Sequence, residues 1–260
     1  ALPLIASIIS GFFGKFIGDR NSEIVTSSLV TISAILSVLV FYEVMVNQYQ
    51  DERSQPVYSI IDTGRVMKMP FKELKLVDYA INSALAFSNV AFKKGDKVGL
   101  IDFSNTLGNF LKAQAKKTYL NTILETLYNI DTRFLDSDFG MLRSLIKRRV
   151  TQRSLLLLYT NFEHISALHR QLPYLQAIAK KHVLVVIFFE NTELRQLVQT
   201  EATTLPEVVD QTIAKQFEHD KKVMVRELQQ RGIQTVLTAP EDLTVNTINK
   251  YLEIKARGIL

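Results

Sequence analysis

No stretch constrains this chain more than PVYSIIDTGRVM, residues 56–67. Val57, Tyr58, Ile60 and Ile61 form a short aliphatic and aromatic run led by Pro56, which is how a buried parallel strand reads. The run ends on Asp62, followed by Gly64 and, from about Leu76, by helical spacing. A carboxylate at the carboxyl end of a strand, on a glycine-containing turn before a helix, sits where open α/β sheets hold their ligands. Asp62 is the first candidate site residue.

The chain beyond it reads as the rest of such a sheet. Lys97–Phe103, Ser154–Thr160 (SLLLLYT), Val183–Phe189 (VLVVIFF) and Ile233–Thr238 are strands. The two uninterrupted runs, SLLLLYT and VLVVIFF, need cover on both faces and belong at the centre. Leu107–Leu111 reads as a short antiparallel edge strand. Helical spacing covers Leu76–Phe92, Tyr119–Ile130, Phe139–Arg149, Ile165–Lys181, Glu207–Arg231 and Leu243–Ala256, with a short helix over Glu193–Gln199. Pro173 is expected to kink or divide its helix, and Gly232 to stop the long one. The alternation predicts a doubly wound, mostly parallel α/β domain over residues 56–260.

The first 46 residues are a different material. Ile24–Tyr42 is a run of 19 residues without a charge, nearly enough at about 1.5 Å per residue to span a hydrocarbon core of about 30 Å. Its Ser and Thr residues can bond back to their own helix. Leu2–Ile17 is a second apolar run, and Gly18-Asp19-Arg20-Asn21 is the turn between them. Residues 1–45 thus predict a membrane-spanning helical hairpin, and 46–55 a polar linker. Lys15 and Arg20 favour a cytoplasmic turn, which would set the following domain outside.

Residues 1–46 carry a net charge of −1 and the remainder +6, for +5 in all, in clusters such as Lys147-Arg148-Arg149, Lys180-Lys181 and Lys221-Lys222. Without interleaved aromatics they read as solvated surface, and no nucleic-acid partner is expected. The absence of cysteine excludes disulfides and thiolate metal sites.

Two resemblances divide the chain. Residues 1–44, ALPLIASIISGFFGKFIGDRNSEIVTSSLVTISAILSVLVFYEV, resemble the first two helices of subunit L (subunit 5) of bacterial NADH:quinone oxidoreductase. They include none of the later helices whose Lys and Glu would carry protons, so the segment can anchor but not pump. The alternation beyond residue 45 resembles a von Willebrand factor type A domain. The segments QPVYSIIDTGRVMKMPF, VDYAINSALAFSNVAFKKGDKVGLIDFS, RSLLLLYTNFE and TAPEDLTVNTINKYLEIKARGIL more closely resemble the C-terminal half of the bacterial domain-of-unknown-function family fifty-eight. The two resemblances meet abruptly near Val44–Val46, as in a composite chain.

The second resemblance implies a Mg²⁺ site built from Asp-x-Ser-x-Ser, a Thr and a second Asp, which is sound chemistry for a hard cation. Here Asp62 matches the first Asp and Thr132 the Thr. Gly64 and Val66 stand where the two Ser would be, and Asn161 where the second Asp would be. Glu163, Asp136 and Asp138 are the other carboxylates at hand. The expectation is a degenerate site, with Asp62 and Thr132 its remaining metal ligands and no cofactor required; Mg²⁺ stays open. The rival readings are that Arg65 or Lys68 pairs with Asp62, or that Asp62 caps the following loop.

Enzyme signatures are absent from the sequence. There is no Gly-x-Ser-x-Gly elbow, Walker loop or dinucleotide fingerprint. His164 and His169 are five apart, wrong for two zinc ligands on one helical face. Asp62 and Asp102 both end strands and invite a two-carboxylate hydrolase reading, for which no nucleophile is at hand. The leading expectation is a non-enzymatic, membrane-tethered module that binds a protein through loops carrying Asp62, Gly64, Arg65, Thr132, Asn161 and Glu163. The resemblance implies a MoxR-type AAA+ ATPase as partner and, with the missing cysteines, a cytoplasmic location, opposite to what the loop charges favour. The alternatives are a fragment of the respiratory membrane arm and a metal-dependent hydrolase.

Overall fold

The computed structural model describes residues 19–50, 54–132, 135–192, 194 and 204–259. They belong to two compact units, 1–53 and 54–260.

In the first unit a helix, α1, runs from Asp19 to Gln50. At about 1.5 Å per residue its 32 residues reach about 48 Å. The predicted turn is helical from Asp19 onward, and the predicted linker is helical as far as Gln50. Neither segment contains a Gly or Pro after Gly18 until Pro56, so nothing in the backbone forces a break. The back-bonding expected of the hydroxyls is present: Ser28 donates to the carbonyl of Ile24 at 2.6 Å and Thr31 to that of Ser27 at 2.7 Å. Val38, Phe41 and Tyr42 lie 65–71% exposed along it. Among the described residues no helix is long and apolar enough to cross a membrane. The first arm of the predicted hairpin lies outside the described residues.

The second unit is built on a six-stranded sheet. Its strands are β1 (Pro56–Asp62), β4 (Lys97–Phe103), β5 (Leu107–Gln114), β6 (Leu155–Tyr159), β7 (Val183–Phe189) and β8 (Gln234–Thr238), in the order β5-β4-β1-β6-β7-β8. All pairs are parallel except β4–β5, where the edge strand runs antiparallel, as expected for Leu107–Leu111, and extends to Gln114. A two-stranded hairpin, β2 (Pro70–Phe71) with β3 (Leu74–Lys75), is too short to have been read from pattern.

Among the described residues six helices cover the sheet: α2 (Leu76–Lys93), α3 (Tyr119–Tyr128), α4 (Phe139–Arg149), α5 (Ile165–Ala179), α6 (Leu205–Gln230) and α7 (Leu243–Ala256). Two cores follow from the strand pleat, since alternate side chains point to opposite faces. Ile61, Leu157, Tyr159, Val185 and Ile187 pack under α2, α3 and α7. Ile60, Leu156, Leu158, Val186 and Phe188 pack under α4, α5 and α6. Every residue of β6 and β7 is buried, which is why their sequences show no polar alternation.

One expectation about helices is corrected, and one falls outside the described residues. Pro173 neither divides nor ends α5, which is assigned as one helix from Ile165 to Ala179. Leu168, Leu172, Leu175 and Ile178 bury one continuous face of it, which offsets the roughly 3 kcal/mol cost of an interior proline. The helix predicted over Glu193–Gln199 lies, but for Leu194, outside the described residues. Gly232, at φ 75°, follows the end of α6 as expected.

Candidate functional site

The chain leaves β1 in one direction, through β4 and β5, and returns to β6 on β1's other side before continuing to β7 and β8. The connections therefore diverge between β1 and β6, and a crevice opens there at the carboxyl ends of the strands. Asp62 ends β1, and Thr160-Asn161 follow β6.

Asp62 is fully buried, and its two oxygens are already engaged. Oδ1 accepts the Gly64 backbone N–H at 2.9 Å and the hydroxyl of Ser137; Oδ2 accepts the hydroxyl of Thr160 at 2.6 Å. Burial pushes its pKa above the ordinary carboxylate value, and the three donors only partly oppose that. The capping reading is thus correct for Gly64. Arg65 pairs elsewhere, reaching Asp136 at 3.3 Å and Glu163 at 3.6 Å. Its guanidinium joins the loops after β1, before α4 and after β6.

Gly64 is where it is because there is no room for a side chain. A Cβ there would come within 2.1 Å of Ser137 Oγ and 3.1 Å of Asp62 Oδ1. The hydroxyl missing from position 64 is supplied from a different loop, by Ser137. Asp138 is spent as the N-cap of α4, accepting the Met141 N–H at 2.9 Å. Thr132 is buried, its hydroxyl has no partner among the described residues, and it does not line the cavity beside Asp62.

Asn161 is the pivot of the second half. Its Oδ1 accepts the Phe162 N–H at 3.0 Å and Lys221 Nζ at 2.6 Å, and the same ammonium donates to the carbonyl of Phe162 at 2.7 Å. Burial pulls the Lys221 pKa down to about 8, against the pull of Glu163. The sequence placed Lys221 in a solvated pair; its signal was only its place on a helix whose other face is apolar. Beneath the loops Phe103, Phe139, Phe162 and Phe188 form a row of rings with successive centroids 5.3, 6.1 and 6.3 Å apart. Between the loops lies a cavity of about 170 Å³, lined by Asp62, Arg65, Asp136, Ser137, Asn161 and Glu163 among others.

The donor set does not fit a divalent cation. Asp62 has both oxygens hydrogen-bonded, Gly64 and Val66 bring no hydroxyl, and Asn161 Oδ1 faces an ammonium. A hard cation wants several free oxygens, with more than one carboxylate to offset its charge. Among the described residues there is no group of three or more His, Asp or Glu that could hold a metal. The two-carboxylate pair does not form either. Asp102 pairs in register with Ile61, and Asp62 with Phe103, so the pleat turns the two carboxylates to opposite faces. Asp102 Oδ1 accepts the Asn109 N–H at 2.7 Å in the β4–β5 connection. The histidines are scattered: His164 lies against Phe217, His169 is 3.3 Å from Glu227, and His182 is buried.

No protein-family profile matches the chain. Its fold is similar to that of the conserved hypothetical protein BatB from Bacteroides thetaiotaomicron, with a TM-score of 0.53 and 14% identity over 78% of this chain and all of that one. A weaker likeness, TM-score 0.43 at 13% identity, covers 55% of this chain and 79% of the SpRpn10 von Willebrand type A domain. A separate match is confined to a segment of 43 residues, 16% of the chain, which is 51% identical to NADH-ubiquinone oxidoreductase chain 5 of Arabidopsis thaliana and of Marchantia polymorpha. The chain spans only 6% of the length of those relatives.

Proposed function

We propose that residues 54–259 are a von Willebrand factor type A-like interaction module, non-enzymatic and metal-free, that binds another protein through the loop face around Asp62. The observation that carries this is the Arg65 cluster. Arg65 and Asp136 keep 55% and 76% of their side-chain surface exposed while linking three loops above a carboxylate satisfied from within. Charged side chains held on loops favour recognition and register with a partner of opposite pattern. Asp62 holds the loops together, and Arg65, Asp136 and Glu163 meet the partner.

Within this reading the domain is of the fifty-eight family type and its partner is a MoxR-type AAA+ ATPase. Residues 1–45 tether the chain to a membrane, with the module on the cytoplasmic side. Affinity capture with the tagged full chain, co-expressed with such an ATPase, tests it. The wild type retains the ATPase, and Arg65→Glu loses most of it. Equal retention by the variant, or none by the wild type, overturns the proposal.

The 43-residue match supports a second reading for the first unit alone, as a fragment of the respiratory membrane arm. Co-migration of the full chain with the respiratory complex on native gels would favour it.

A further inference from the structure

A larger cavity, about 400 Å³, opens beside the loop face, between the β2–β3 hairpin, the carboxyl end of β7 and the middle of α6. Met69, Phe71, Leu76, Phe189, Phe217 and Leu237 give it a mainly apolar wall. That volume and lining, with few convergent polar groups, is how small-ligand sites are built.

Two lysines line it: Lys222 is paired with Glu218 at 2.7 Å, and Lys221 Nζ lies 5.5 Å from the Phe188 ring centroid. Both hydrogen-bond acceptors of Lys221, Asn161 Oδ1 and the Phe162 carbonyl, are neutral. Of the carboxylates around the cavity, Glu163 lies against Arg65 at 3.6 Å and Glu218 against Lys222 at 2.7 Å; Glu190 stands at the end of β7. Glu163 acts on Lys221 through its charge, but neither hydrogen-bond acceptor of the ammonium carries one. Burying an ammonium on neutral acceptors is costly, and an anion carried in on an apolar body offsets that cost.

The geometry points to this cavity as a binding site for a small apolar monocarboxylate, its body among Phe71, Leu76 and Phe189 and its carboxylate on Lys221 Nζ. A neutral apolar ligand would leave the ammonium as it is, and an apolar amine would be repelled by it. The inference does not depend on the partner-binding reading, because its probe is a small molecule and its variants spare Arg65.

Calorimetric titration of the full chain with octanoate, octan-1-ol and octylammonium tests it. Octanoate binds saturably and about tenfold or more tighter than either of the others, as a charge-assisted contact implies. Lys221→Met abolishes that preference, while Lys222→Met, at the exposed neighbour, keeps it. Met69→Trp, at an exposed position on the rim, weakens octanoate binding and keeps the fold if the lysine variant does not. No saturable octanoate binding, equal affinity for octan-1-ol, or a preference that survives in Lys221→Met overturns the assignment.

Discussion

The hydroxyl of Thr160 donates to Oδ2 of Asp62 at 2.6 Å, joining the ends of two neighbouring parallel strands across the point where the sheet's connections diverge. With Ser137 and the Gly64 N–H on the other oxygen, the carboxylate is satisfied from within the protein. Hydroxyls from two loops thus converge on one carboxylate.

Restoring a serine at position 64 should therefore harm the domain. Its Cβ would meet Ser137 Oγ at 2.1 Å, so Gly64→Ser is expected to cost about 1–3 kcal/mol, as overpacking does. Gly64→Ser combined with Ser137→Ala should recover much of that loss. Urea unfolding of the three proteins measures it, and a neutral single substitution would contradict the packing described.

The titration of Asp62 gives a second expectation. Its folded pKa lies above the ordinary value because of burial, so its ionisation opposes folding. That contribution is most favourable below the unfolded pKa and is lost as pH rises through the folded one. Asp62→Asn should then gain stability relative to wild type as pH is raised from 3.5 to 7. Unfolding midpoints across that range are the readout.

Lys221 titrates in the opposite sense. With its pKa lowered from 10.5 to about 8, the folded state holds fewer protons than the unfolded state between those values. Stability should rise with pH through that window, by at most about 3 kcal/mol at roughly 1.36 kcal/mol per unit. Denaturant unfolding at pH 7.5, 9 and 10 should show the rise in the wild type and its absence in Lys221→Met.

At the other end of the sheet Asp96 is a structural side chain. Buried before β4, it accepts the Gln55 N–H at 3.1 Å, the Tyr251 hydroxyl at 2.5 Å and Lys255 Nζ at 2.9 Å. Asp96→Ala strands a lysine and a tyrosine of α7 and is expected to cost about 3–5 kcal/mol in thermal or urea unfolding.

The sheet was legible in the sequence because β1, β6 and β7 are buried on both faces and leave unbroken apolar runs. Asp62 was legible because a carboxylate ending such a run stands at the carboxyl end of a parallel strand, where these sheets open their crevice. Ser137 and Lys221 were not: each reaches the site from a distant segment, and neither has a local pattern that separates it from surface. Asp102 misled for the same reason, since strand ends adjacent in the sheet can still point to opposite faces. In the first unit the uncharged run gave the helix correctly, but polar residues that looked like a turn and a linker belong to the same helix. Polarity without Gly or Pro does not end one.

Calorimetric titration of the full chain with Mg²⁺ and Mn²⁺, repeated on Asp62→Ala, tests the metal-free loop face most directly. Asp62 with its lone pairs engaged, and Asn161 facing Lys221, predict no saturable heat in either protein. Saturable binding by the wild type that disappears in Asp62→Ala would contradict the account, and would make Asp62 a metal ligand despite Gly64, Val66 and Asn161.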